Sequence, residues 1–86
     1  MYHVVLYLNP KGRTPEAGPG NHVGNKRTAI RQARRKLRQA WAVRTADVTL
    51  IRAAVRTDDG RLIYQARIDA DTAQNGERRM IKDEEL

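Results

Sequence analysis

The sequence predicts a small α+β domain in which one helix packs on one face of a mainly antiparallel sheet. Three observations carry this prediction. Residues 2–8 form an apolar run broken only by His3. Residues 26–42 repeat apolar side chains at spacings of three and four, the period of a helix. Residues 47–57 and 61–70 alternate in character on either side of Asp59-Gly60, the pattern of a hairpin.

The elements follow in order. The first strand is apolar on both faces, which suits a strand internal to a sheet. Residues 9–25 hold all three prolines and four of the six glycines, and they read as a long flexible loop. Asn25 is a suitable N-cap for the helix. On a helical wheel Ala29, Ile30, Ala33, Leu37, Ala40 and Trp41 share one side. A two-residue turn at Asp59-Gly60 sets Thr57 opposite Leu62, Val55 opposite Tyr64, Ala53 opposite Ala66 and Ile51 opposite Ile68. A three-residue loop would shift the parity and mix the two faces, so it is disfavoured. Trp41 and Tyr64 are assigned to the core.

The order is therefore β-α-β-β, with a fourth strand at 78–82 as one reading of the tail. A helix over 77–85 and a frayed end are the others. A crossover from the first strand to the second suits a split β-α-β arrangement, strand order 2-3-1, with the third strand between the other two. At 86 residues one domain is expected, with a small core. Residues 1–70 form that basic domain, and 71–86 are an acidic C-terminal segment.

Charge dominates the composition. The net charge is +7, and arginine outnumbers lysine 13 to 4. With abundant alanine, this usage suggests a GC-rich genome, such as that of an actinobacterium or one of its phages. The distribution is uneven. Residues 1–68 carry a net +10, residues 69–86 a net −3, and 17–46 contain no acidic residue. A strongly basic domain usually faces a polyanion. Arg27, Arg31, Arg34, Arg35 and Arg38 fall in an arc of roughly 100° on the helix, beside the apolar seam. No carboxylate stands four residues away to neutralise them, so their mutual repulsion opposes the isolated helix. The expected phosphate-contacting set is Lys26, Arg27, Arg31, Arg34, Arg35 and Arg38. Arg52, Arg56 and Arg67 would extend it across the hairpin.

Several chemistries are poorly supported. Gly20 to Lys26 imitates a phosphate loop, but Asn25 separates Gly24 from Lys26, and Arg27 separates Lys26 from Thr28. What survives is the attraction of a helix start for a single phosphate. Asp69, Asp71 and Glu77 offer weak metal-ligand spacing, and His3 and His22 stand far apart in sequence. Cysteine and serine are absent. No enzyme activity, cofactor or metal is expected. The expectation is a cytoplasmic nucleic-acid-binding protein that recognises a DNA or RNA duplex by backbone or shape, with no membrane association. The alternative is an interaction module, a small phage-type regulator docking on an acidic host protein. Such a module would form a homodimer through its open sheet face.

Overall fold

Tyr2–Asn9 form β1, which has a strand on each side. The computed structural model describes residues 1–9, 21–76 and 80–86. The remaining elements are β2 (Asn21–Val23), α1 (Lys26–Val43), β3 (Leu50–Thr57), β4 (Leu62–Asp69), α2 (Ala70–Ala73) and β5 (Lys82–Glu85). The fold is α+β. Its one five-stranded sheet runs β2-β1-β3-β4-β5, and every neighbouring pair is antiparallel.

This order corrects the expected one. The hairpin's second strand, β4, does not lie between β1 and β3, because β1 pairs directly with β3. The reason is β2, which occupies part of the expected loop over 9–25. It reverses the chain antiparallel to β1 before the helix begins. Since β2 and β3 are both antiparallel to β1, they are parallel to each other. A split β-α-β unit does form, but it starts from β2 and encloses β1. The rest of that loop, residues 10–20, lies outside the described residues.

α1 begins as its sequence requires. The Asn25 side chain accepts from the Thr28 backbone N–H at 3.2 Å, which satisfies one of the donors left open at a helix start. At the other end Arg44 donates to the Trp41 carbonyl at 2.8 Å, and its guanidinium lies 3.5 Å from the Trp41 ring centroid. A cation there also complements the helix dipole. The buried helix residues are Ala29, Ala33, Leu37 and Trp41, one every four residues. Ala29 and Ala33 have small side chains, and Ala53 and Ala66 on the sheet are equally small and buried. The helix can therefore lie close to the sheet, while Leu37, Ile51, Val55, Tyr64 and Ile68 fill the volume around it. Truncating Leu37 to alanine would cost about 2–5 kcal/mol through reduced transfer energy and a cavity.

The hairpin keeps the expected register where the core needs it. Val55 opposes Tyr64, Ala53 opposes Ala66 and Ile51 opposes Ile68. The turn differs from expectation. Thr57 N–H donates to the Arg61 carbonyl and Gly60 N–H to the Thr57 carbonyl, both at 2.9 Å. The loop is thus three residues, Asp58 to Gly60, with Gly60 at φ +87°. Parity survives because a bulge compensates. Val55 faces Tyr64 while Arg56 faces Leu62, which leaves Ile63 as the extra residue on β4. Thr57 is therefore not opposite Leu62.

Of the three readings of the tail, the strand is the one that holds, with different bounds. A single helical turn, α2, comes first, held by reciprocal bonds between Asp69 and Thr72, each 2.9 Å. The strand comes later than 78–82 and pairs with β4, Tyr64 opposite Glu85 and Arg67 opposite Lys82. Residues 82–85 of the acidic segment are thus an integral edge of the sheet.

Gly60 supplies a left-handed backbone that other residues enter at a cost. Gly60→Ala should destabilise the fold by about 1–2 kcal/mol. Gly24→Ala, which meets open space and has no positive φ, should be close to neutral. Chemical denaturation of the two variants checks the difference.

Candidate nucleic-acid interface

The expected basic set divides into two groups on opposite sides of the sheet. Alternation along β3 and β4 sends Ile51, Ala53, Val55, Tyr64, Ala66 and Ile68 toward α1. Arg52, Arg56 and Arg67 point to the opposite face, which no helix among the described residues covers. They do not extend the helix stripe across the hairpin. Strand parity in the sequence already put these three arginines on the face away from the apolar set; what is corrected is the expectation that they extend the helix stripe.

On the helix side Arg27, Arg31, Arg35 and Arg38 are exposed. Among the described residues no carboxylate forms an ion pair with any of them. Lys26 and Arg34, at the edge of the stripe, are engaged by β5. Residues of β5 alternate like those of any strand, so Asp83 and Glu85 face the helix side while Lys82 and Glu84 face the other. Lys26 Nζ lies 3.3 Å from Glu85. Arg34 pairs with Asp83, whose carboxylate also accepts from the Tyr64 hydroxyl at 2.7 Å. A shallow depression of about 630 Å³ opens between the strand end and the helix, lined by Lys26, Arg27, Ile30, Arg31, Arg34 and Glu85.

The Arg34–Tyr64–Asp83 cluster has a clear electrostatic signature. Burial pushes the Tyr64 phenol up to about 12, and its bond to the Asp83 carboxylate adds to the effect. Arg34 is shifted upward, first by its hydrogen bond with Tyr64. The guanidinium is thus held charged against Asp83. This network joins groups 19 and 49 residues apart in sequence, beyond the reach of any local motif.

Two other residues singled out by the sequence, Asp69 and His3, have structural partners. Asp69 caps α2 and lies 3.8 Å from Arg67. His3 Nε2 is 2.7 Å from Asp58, and this bond holds the Asp58 carboxyl below its usual range. The backbones of His3 and His22 are register partners, which their separation in sequence concealed. Glu77 lies outside the described residues. The opposite net charges of residues 1–68 and 69–86 lead to the expectation that Asp83, Glu84 and Glu85 fold back on the basic surface, and Asp83 and Glu85 do meet it. Sequence reasoning missed Lys82, which completes the second basic surface. Lys82 was given no role because the tail strand was expected at 78–82, ending where β5 begins.

No helix among the described residues is long and apolar enough to cross a membrane. Compared with family models, curated proteins and solved structures, the chain matches none.

The cluster predicts a specific alkaline behaviour. Tyr64 is neutral when bonded to Asp83, and its folded value lies above the ordinary tyrosine value of 10.0. Its contribution to stability is complete below pH 10 and is lost as pH rises toward 12. Ultraviolet difference titration should show a tyrosine that ionises only near pH 12, and Tyr64→Phe should delete that step. The same variant should be less stable by about 1–2 kcal/mol, because Asp83 is deprived of a donor.

Proposed function

We propose that this protein binds nucleic acid without catalysing a reaction, gripping the phosphates of a duplex through α1. The observation that supports this reading is the alignment of Arg27, Arg31, Arg35 and Arg38. They are exposed, unpaired with any described carboxylate, and set on one side of a helix anchored by the apolar seam beside them. From Arg27 to Arg38 the helix rises roughly 16 Å. That is about five steps along one strand of a duplex at ~3.4 Å each. Guanidinium groups fork phosphate oxygens, and a rigid helix fixes their spacing without ordering a loop on binding. Lys26 and Arg34 would join the interface once a phosphate displaces Glu85 and Asp83. Phosphate contacts position a protein on a backbone and carry no base code. The proposed recognition is therefore of charge and shape, in DNA or RNA.

Arg31→Ala with Arg35→Ala should leave the fold intact, since alanine favours a helix and like-charge repulsion is relieved. Duplex binding followed by fluorescence anisotropy should weaken about equally for every sequence. Its log–log salt slope should become shallower by roughly 1.8, about 0.9 for each B-DNA phosphate no longer neutralised. Lys36→Ala with Gln39→Ala, on other parts of the helix surface, should change little. If the wild-type protein binds no duplex in about 50 mM salt, where such interactions are strong, the reading is overturned. Docking of the same stripe on an acidic protein then takes its place.

The strand β5 sets a second test. Asp83→Asn with Glu85→Gln keeps the strand and removes its charges toward α1. Exposed ion pairs are worth ~0.2–1 kcal/mol, so duplex affinity at low salt should rise roughly two- to five-fold. Unchanged affinity would show that the tail does not compete with the duplex.

A further inference from the structure

The face of the sheet opposite α1 carries an arrangement that the fold alone does not explain. Tyr7 on β1 is the register partner of Arg52 on β3, Arg52 of Arg67 on β4, and Arg67 of Lys82 on β5. These four residues form one transverse row across four strands. Three of them are cations standing directly opposite one another. Like charges at opposed positions destabilise a sheet, and adjacent strands lie only about 4.8 Å apart. Compensation within the fold is slight. Asp69 stands 3.8 Å from Arg67, and Glu84, in the neighbouring row, is bonded to Gln65 at 2.9 Å. Among the described residues no acid pairs with Arg52 or Lys82. The Arg52 guanidinium turns to Tyr7, 5.4 Å from the ring centroid. Two shallow hollows open along the row, and Arg52 lines both.

The geometry points to a second nucleic-acid site on this face, one that takes a single strand. A strand backbone laid across β3, β4 and β5 would set its phosphates against Arg52, Arg67 and Lys82, which removes the repulsion within the row. At the β1 end, Tyr7 and the Arg52 guanidinium present flat surfaces of the kind on which an unpaired base stacks. A second copy of this chain is the wrong occupant. Face-to-face packing would bring two rows of cations together, where an interface needs opposite charge. A duplex suits the face less well than a single strand, because a paired base cannot reach a flat ring. The site is independent of the proposed helix interface, since the sheet separates the two. With both occupied, the protein would join a duplex to a strand.

The test uses a short fluorescein-labelled oligothymidylate in about 50 mM salt, with anisotropy as the readout. Wild-type protein should bind it. Arg52→Gln with Arg67→Gln should weaken that binding roughly ten-fold. The same change should lower its salt slope by about 1.4, ~0.7 for each single-strand phosphate. Duplex affinity should hold. Arg31→Ala with Arg35→Ala should leave oligothymidylate affinity within about two-fold, whether or not duplex binding depends on the stripe. Backbone amide shifts supply a readout that needs no variant: the oligonucleotide should move Tyr7, Arg52, Arg67 and Lys82. The inference is overturned if wild type ignores the oligonucleotide, if the Arg52/Arg67 variant binds it as wild type does, or if the shifts map to α1 instead.

Discussion

One helix can cover only one face of a sheet, and strand alternation delivers every second side chain to the face left bare. That constraint organises the whole molecule. It sends Ala53, Val55, Ala66 and Ile68 under α1, and it sends Arg52 and Arg67 to the uncovered side. A domain with so small a core cannot choose these sides loosely. A slip of one residue would bury arginines under Leu37 and Trp41 and expose the apolar set. The compensation at Ile63 shows how firmly parity is held. The turn takes one residue more than the simplest hairpin, and the ladder absorbs it before reaching Val55 and Tyr64.

The same division shapes the electrostatics. Basic residues remain after the core is built, and the sheet keeps them apart in two groups instead of one crowded patch. The charged strand β5 stands between the groups and serves both sides through its own alternation. Asp83 and Glu85 moderate the edge of the helix stripe, and Lys82 extends the row on the bare face. Three of the acidic residues of this chain of net +7 thus stand in the strand between its two basic groups.

What the sequence revealed followed physical range. The helix was legible because its period and its Asn25 cap are local. The register of Val55 with Tyr64 was legible because only one parity joins two apolar sets. β2 was not, since Asn21–Val23 has little strand character and exists by pairing with β1. Missing it set β4, instead of β3, beside β1. β5 was hidden for a similar reason: Lys82–Glu85 has no apolar alternation, and its strand form comes from the edge of β4 and from ion pairs with α1. The arginine stripe could be drawn on a wheel from sequence alone. That residues 83–85 would fold back on the basic surface followed from opposite net charges, but that they meet Lys26 and Arg34 in particular could not be read, because these partners lie far apart along the chain.

A sheet ends in a row of backbone groups ready to accept another strand, and β4, rich in buried apolar residues, would be a dangerous last strand. β5 closes that edge with residues that are all charged and all exposed. An incoming chain would have to pair its backbone beside carboxylates and a lysine, a poor template for stacking one molecule on the next. The short acidic strand therefore also governs how crowded this protein can become in solution before copies begin to adhere.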